Sequence, residues 1–376
     1  MEKSRGKVLL PIVIAMLLFA LAACNQGGDA GGASANDESA AGDANASDFA
    51  GRELIFGVWG GSSAEAALKA YKEPFEALTG ANIILEEYGD DVTAKVIAQT
   101  EQGLEGYDII SGCGILDQIN VMQQRDALLP IDYSLLPNAE HLLPNAKGEY
   151  AIGQYVISTN LAWNKDVYGD DPPDTLAKFY DPEHYPGARA MIAFSPTGIL
   201  EQALIADGVS KDELYPIDVD RAFKVLDKIK PSVTKWWSSG AEIKQALADG
   251  EVDCGIFWGG SVIESIVKDG NANIEIAHDD AFLIVDCLAI TAACKDKELA
   301  HAFLNYCISG EAEGVFTEIK FYGPSSTLAS DFISEDLLSY VTAAPQNMEK
   351  AFWCDVPYWQ ENFESNAERY MTWIAN

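Results

Sequence analysis

Positively charged residues, which proteins use to bind nucleic acid, are scarce in this sequence. Lys and Arg together number 25 against 58 Asp and Glu, which gives a formal net charge of −33. Contacts to phosphates need clustered Lys and Arg, so the composition excludes nucleic acid as a partner. The same charge favours cationic partners through its long-range field, although solubility alone explains it equally well.

Motifs for catalysis and metal binding are also missing. The four histidines form no HExxH motif, and no GxSxG or CxxC occurs. We therefore expect no metal, no cofactor and no catalytic residue. Cys113, between two glycines, is the one candidate nucleophile, but the sequence offers it no partner base. An exported enzyme is thus the distant alternative.

Long apolar runs are lacking except near the start of the chain. The run Val8–Ala23 follows Lys3, Arg5 and Lys7 and ends in small residues. It is shorter than the ~20 apolar residues of a membrane-spanning helix, which is the alternative interpretation. A cationic start, an apolar stretch and small residues predict a secretory signal peptide over residues 1–23.

The end of this run resembles a bacterial lipobox, with the sequence Leu-Ala-Ala-Cys at residues 21–24. The resemblance implies that Cys24 is lipidated and becomes the first mature residue. Residues 24–50 are rich in Gly, Ala, Ser, Asn and Asp, which predicts a flexible tether. We expect a protein that is lipid-anchored at the outer face of the bacterial cytoplasmic membrane or in the periplasm.

Six further cysteines follow the tether: Cys113, Cys254, Cys287, Cys294, Cys307 and Cys354. In an exported protein this even number is compatible with disulfides, whose pairing the sequence does not give. Several of the six lie in apolar, strand-like contexts, where cysteine behaves as a small buried hydrophobic residue. Mostly free thiols are the favoured interpretation.

Some 325 residues remain for the folded part, a length typical of two lobes. Strands and helices alternate from Glu53 onward, which predicts a mainly parallel α/β sheet with helices on both faces. The prediction includes a short strand over residues 128–131. It also includes a strand over residues 190–194, followed by a helix with Ser195 as N-cap and Pro196 at its first position.

Small-residue turns follow four of the predicted strands. Ligands of open α/β sheets bind beyond the carboxyl ends of the strands, so these turns together outline one crevice. The turns are residues 59–63, 111–114, 195–198 and 259–261.

The order of elements resembles that of the periplasmic spermidine/putrescine-binding family, the substrate-binding components of polyamine-type ABC importers. Five segments in the family's order carry the resemblance: Phe56–Trp59, Gly106–Ser111, Ala248–Ser261, Val285–Ile290 and Phe321–Pro324. The resemblance implies two α/β lobes with a ligand cleft between them, ligand-induced closure, ABC permease subunits as partners and a monomeric state. We expect lobe 1 to comprise residues 51–157 and 288–335, and lobe 2 residues 158–287 and 336–376.

The same resemblance assigns roles to individual residues. Trp59 and Trp258 would be the aromatic walls of the cleft, and Asp286 would pair with an ammonium group. Tyr322 and Ser111 would add polar contacts. The alternatives are that the two tryptophans belong to the core and that Asp286 has a buried structural partner.

Several positions depart from the pattern of the family. Its polyamine binders carry two acidic residues on the turn that here contains Ser195 and Thr197, with no carboxylate. Ser62 replaces the tyrosine near the first tryptophan, and Cys113 replaces an aromatic residue. Asp355 lies where the family has a polar ligand contact. These five residues complete the predicted ligand-binding set.

The departures open two interpretations of the ligand. One ammonium site at Asp286 suits a small cationic amine of the putrescine and spermidine class. Free backbone N–H groups at the helix starts near Ser62 and Ser195 would favour an anionic end. The ligand would then be a zwitterion such as a γ-aminobutyrate-like ω-amino acid.

Overall fold

The computed structural model describes residues 49–376, so Cys24, the signal segment and nearly all of the tether lie outside the described residues. Within that range the strands are Glu53–Trp59 (β1), Asn82–Tyr88 (β2), Ile109–Gly114 (β3), Ile152–Asn164 (β4), Arg189–Ile192 (β5), Val233–Trp237 (β6), Cys254–Trp258 (β7), Ile274–Ile276 (β8), Phe282–Ile290 (β9), Gly323–Pro324 (β10) and Phe352–Trp353 (β11).

The α-helices are Ser62–Ala67 (α1), Glu73–Thr79 (α2), Val92–Gln102 (α3), Gln118–Gln124 (α4), Lys165–Tyr168 (α5), Leu176–Phe179 (α6), Ile199–Ala206 (α7), Val219–Ile229 (α8), Gly240–Ala248 (α9), Gly259–Val267 (α10), Lys297–Cys307 (α11), Gly310–Lys320 (α12), Glu335–Leu338 (α13), Pro345–Met348 (α14) and Val356–Ala375 (α15). A π-helical segment, Leu68–Lys72, joins α1 to α2. Short 3₁₀ helices occupy Tyr133–Leu135, Pro137–His141, Pro144–Ala146, Lys211–Glu213, Lys230–Ser232 and Ala329–Phe332.

The strands form one mixed sheet with the main order β2-β1-β3-β9-β4-β7-β5-β6. β1 is parallel to β2 and β3, and β5 is parallel to β6 and β7. Between these groups, β9 runs antiparallel to β3 and to β4, and β4 also runs antiparallel to β7. The predicted parallel arrangement is right for the outer strands and wrong for the centre, because β4 and β9 run along the sheet between its two ends in opposite directions.

Two large apolar cores lie at the two ends of this sheet. Phe56, Tyr71 and Phe303 belong to the first core, and Trp237 and Trp359 to the second. All five side chains are fully buried. The predicted two-lobe α/β fold is confirmed by this division.

β4 and β9 connect the two cores. β4 contributes Ile152 to the first core and Leu161 to the second. β9 begins with Phe282 in the second core and ends with Ile290 in the first. Both strands therefore carry the chain from one lobe to the other, while the residue boundaries of the lobes stay a prediction.

Two local expectations are wrong. Residues 128–131 form no strand, and their sheet contact is a single bridge between Leu128 and Thr291. The helix expected from Pro196 begins at Ile199, with Gly198 at the N-cap position. Gly198 has a φ of 80°, a left-handed conformation that favours glycine at this position.

Among residues 49–376, no helix has the length and apolar character needed to cross a membrane.

Candidate ligand cleft

Trp59 and the bulge of β3 form the first part of the cleft. The indole Nε1 of Trp59 donates a 2.8 Å hydrogen bond to the carbonyl oxygen of Gly112. Its ring meets that of Tyr88 edge-on, with centroids 5.2 Å apart. Gly112 has a φ of 68°, and a Cβ there would lie 2.5 Å from the Tyr155 hydroxyl oxygen. Only glycine at position 112 therefore allows the side chains of Trp59 and Tyr155 to approach the bulge so closely.

Asp286 faces this aromatic group from β9. It lies opposite Gly114 on one neighbouring strand and opposite Tyr155 on the other. Burial raises the pKa of the Asp286 carboxyl to about 7, the charge of Asp117 adds to that effect, and a hydrogen bond from Tyr155 opposes it. Within the described part of the chain, no Lys, Arg or His nitrogen lies within 4 Å of this carboxylate.

Tyr322 extends the aromatic surface beside Asp286. Its ring lies 5.0 Å from that of Tyr155 at an interplanar angle of 32°. Tyr155 in turn stacks on Phe316, with centroids 5.2 Å apart and an angle of 11°. The positions of Tyr155 and Tyr322 are thus fixed by a continuous stack of rings.

Lys320, which sequence reasoning missed, also lies close to Tyr322. Its Nζ is 5.0 Å from the centroid of the Tyr322 ring and donates a 2.9 Å hydrogen bond to Oγ of Ser62. Burial lowers the pKa of the Lys320 ammonium from its usual value. Ser62 is exposed and is the first residue of α1. No side chain caps the N-terminus of this helix.

A second aromatic group stands at the ends of β5 and β7. The Trp258 ring meets Trp237 edge-on at 5.1 Å and Phe194 at 5.9 Å. Phe194 is 42% exposed, whereas Trp237 is fully buried. An exposed phenylalanine beside a partly buried tryptophan offers an apolar surface, and its position before Ser195 was the sequence signal that could have identified it.

The turn after Phe194 is held from behind by a buried carboxylate. Glu201 accepts hydrogen bonds from the Gly198 N–H at 2.9 Å, the Tyr215 hydroxyl at 2.6 Å and Trp359 Nε1 at 2.6 Å. Burial raises the pKa of the Glu201 carboxyl above its usual value. The N–H of Gly198 is therefore occupied, which contradicts, for this residue, the expectation of free backbone N–H groups that could bind an anion at this turn.

Ser195, Thr197 and Asp355 lie on the same side of the cleft. Oγ of Ser195 accepts a 3.2 Å hydrogen bond from the Thr197 N–H, which closes the turn. Oγ1 of Thr197 is buried and has no partner among residues 49–376. The Asp355 N–H donates to the Tyr215 hydroxyl at 3.2 Å, which links it to the Glu201 network.

Ser111 and Cys113 support the cleft from inside. Oγ of Ser111 donates a 3.1 Å hydrogen bond to Gln154, and Ser111 is 5% exposed. Cys113 is fully buried, and Tyr88 OH lies 3.5 Å from its sulfur. Burial raises the pKa of the Cys113 thiol to about 12, which makes it a poor nucleophile at neutral pH. All six cysteines in the described range are buried and free.

A contact between Tyr322 and α10 links the residues around Trp59 and Asp286 to those around Trp258. A Cβ on Gly260, two residues after Trp258, would lie 2.5 Å from the Tyr322 ring. The first group contains Trp59, Asp286, Tyr322 and, through Lys320, Ser62. The second contains Trp258, Ser195, Thr197 and Asp355, and the approach of Gly260 to Tyr322 is the contact that links it to the first.

Two surface pockets lie away from these residues. One of about 450 Å³ lies between α8 and α15, and the other, of about 570 Å³, lies beside β8. Neither is lined by a predicted site residue. In the described range, no group of three His, Cys, Asp or Glu side chains is placed to hold a metal ion.

Comparison with known proteins gives a consistent result. A family model described as bacterial extracellular solute-binding protein matches residues 70–349. The γ-aminobutyric acid-binding protein of Pseudomonas aeruginosa is 27% identical, over 84% of this chain and 89% of its own. The spermidine/putrescine-binding periplasmic protein 1 of Haemophilus influenzae is 25% identical, over 70% of this chain and 74% of its own.

A solved structure supports the same grouping. An ABC transporter substrate-binding protein from Bradyrhizobium japonicum is 28% identical and has a TM-score of 0.78. The match covers 86% of this chain and all of that one.

Proposed function

We propose, from the premise that this chain belongs to the bacterial extracellular solute-binding protein family, that it captures a small ω-amino acid similar to γ-aminobutyrate. Proteins of this family and fold are ABC solute-binding proteins and not enzymes. The ligand's ammonium group would bind Asp286, and its methylenes would contact Trp59. A permease in the membrane would then receive it.

The state of Asp286 carries this proposal. A half-buried carboxylate with no cation within 4 Å among residues 49–376 needs a positive charge to offset its desolvation. An alkylammonium group supplies that charge, and aromatic faces beside it add about 0.5–2 kcal/mol through cation–π attraction.

The other side of the cleft favours a ligand with one positive charge only. The turn of residues 195–198 has no carboxylate of its own. Glu201 behind it is buried, and three hydrogen-bond donors already occupy its carboxylate. A second ammonium would find no free carboxylate on this turn.

A diamine or polyamine of the putrescine and spermidine class is the second candidate. Asp355, partly buried at the start of α15, is the observation that favours it, because its carboxylate could receive a second ammonium group. The likeness to a spermidine/putrescine-binding protein points in the same direction.

Isothermal calorimetry with γ-aminobutyrate, putrescine and spermidine distinguishes the candidates. We expect γ-aminobutyrate to bind most tightly and Asp286→Asn to weaken its binding at least a hundredfold, about 2.7 kcal/mol. Tighter binding of a polyamine would make the second candidate the function. Wild-type affinity in Asp286→Asn would remove Asp286 from the site.

Closure of the lobes and the lipid anchor complete the proposal. Ligand binding would bring the two lobes together, which small-angle scattering detects as a smaller radius of gyration. Lipidation of Cys24 would hold the protein beside its permease and raise its local concentration. Labelling with a radioactive fatty acid should be lost in Cys24→Ala, and unchanged labelling would exclude the anchor.

A further inference from the structure

Lys320 is a partly buried cation that has no carboxylate directly beside it among residues 49–376. Lys72, Lys178 and Lys244 are similarly buried, and each lies within 4 Å of at least one carboxylate oxygen. No carboxylate in the described range lies within that distance of the Lys320 ammonium. In a chain with a net charge of −33, a lysine left in this state is notable.

The hydrogen bonds of Lys320 are also incomplete. An ammonium group has three donors, and the Ser62 hydroxyl accepts one of them. Glu264 acts on Lys320 only at a distance, because its own carboxylate is within 3.1 Å of Lys244 and Lys268. Among residues 49–376, the Ser62 hydroxyl is the hydrogen-bond acceptor found for Lys320. Two donors of its ammonium group are therefore available to a ligand.

Tyr322 connects this free cation to Asp286. The Lys320 ammonium lies 5.0 Å from the Tyr322 ring centroid, and the pKa of the Tyr322 hydroxyl is raised by burial and, in addition, by the nearby negative charge of Asp286. Tyr322 thus lies near a positive group and a negative group, neither of which has an oppositely charged partner within 4 Å among residues 49–376. A ligand that contacts both would place a short carbon chain along this ring.

We propose that Lys320 and Ser62 form the subsite for the carboxylate of the ligand. This inference rests on the proposed function, because it assumes that an ammonium group occupies Asp286. A carboxylate here would accept charge-assisted hydrogen bonds from Lys320 and one hydrogen bond from Ser62. The subsite accounts for the choice of an ω-amino acid over an amine with two positive ends, since Lys320 would repel a second ammonium.

The test compares γ-aminobutyrate with its amide, 4-aminobutanamide, which keeps the ammonium and lacks the carboxylate. We expect the wild type to bind the acid at least tenfold more tightly than the amide. Lys320→Gln should remove that ratio by weakening binding of the acid alone. Lys320→Arg, which keeps the charge, should retain most of it and serves as a second variant if Lys320→Gln does not fold.

Lys268→Gln is the matched control, because it removes one positive charge from an exposed lysine directly after the neighbouring helix α10. It should leave the ratio unchanged. An equal ratio of acid to amide in the wild type and in Lys320→Gln would overturn the subsite while leaving the proposed function intact. No binding of γ-aminobutyrate to the wild type would overturn both.

Discussion

Tyr155 stands directly opposite Asp286 on neighbouring antiparallel strands, and its side chain hydrogen-bonds to the Asp286 carboxylate. The hydrogen bond favours the ionised carboxylate, while burial disfavours it more strongly and sets the pKa at about 7. The ligand-free site therefore holds its negative charge at a cost, which an incoming ammonium group would offset.

Binding should depend on pH through Asp286. The ammonium group binds the ionised carboxylate, so affinity is full above a pH of about 7 and falls below it. The decrease approaches about tenfold per pH unit as protonation competes with the ligand. Titration calorimetry at pH 6 in two buffers of different ionisation enthalpy should detect proton release on binding. Constant affinity between pH 8 and pH 5 would contradict this role of Asp286.

The same residue should reduce the stability of the ligand-free protein. Its pKa is about 7 in the folded state and about 3.8 when unfolded, so folded Asp286 binds a proton more readily. Its contribution to stability is therefore present below pH 4 and lost as the pH rises through 7.

Asp286→Asn should accordingly be more stable than the wild type at pH 8 and similar to it at pH 4. Urea unfolding at both pH values, without ligand, measures the difference. Asp90→Asn, at an exposed carboxylate, should show no such pH-dependent gain. A variant that is less stable than the wild type at pH 8 would mean that Asp286 has a structural partner.

Glu201 should be essential for the shape of the second half of the cleft. Glu201→Gln replaces an acceptor of three hydrogen bonds by an amide whose NH₂ faces N–H and O–H donors. We expect a loss of about 1–3 kcal/mol in the free energy of unfolding. Glu364→Gln, on the exposed face of α15, is the control and should change it by less than about 0.5 kcal/mol.

Two tryptophans should separate binding from packing. Trp59→Leu should weaken ligand binding by about 0.5–2 kcal/mol or more, because it removes a cation–π surface. Trp236 packs edge-on against Tyr370 and Trp373, so Trp236→Leu should lower stability and leave affinity unchanged. Equal affinity in the wild type and Trp59→Leu, measured by calorimetry, would mean that Trp59 belongs to the core and does not bind the ligand.

The Cys113 thiol should be chemically inert in the folded protein. Its burial and a pKa of about 12 leave almost no thiolate at pH 8. Mass spectrometry after iodoacetamide treatment should find Cys113 alkylated in urea and unmodified in buffer. Rapid alkylation of the native protein would reopen the hypothesis of a nucleophilic cysteine.

Sequence patterns predicted the outer parts of the sheet. Trp59 and Trp258 are the last residues of their strands and Asp286 interrupts an apolar run, but it was the resemblance to the spermidine/putrescine-binding family that assigned these residues to the candidate cleft. Lys320, Tyr155 and Phe194 were missed. Lys320 is one of several charged residues on an amphipathic helix, and its lack of a carboxylate partner has no counterpart in the local sequence.

The amino-acid sequence by itself determined the alternation of strands and helices, the acidic charge and the positions of the turns. These properties depend on neighbouring residues, through side-chain periodicity and the backbone preferences of glycine and proline. Only the tertiary structure decided that the central strands are antiparallel and that Asp286 and Lys320 both lie near Tyr322. The physical reason is that burial and the pairing of charges arise between residues that are far apart in the chain.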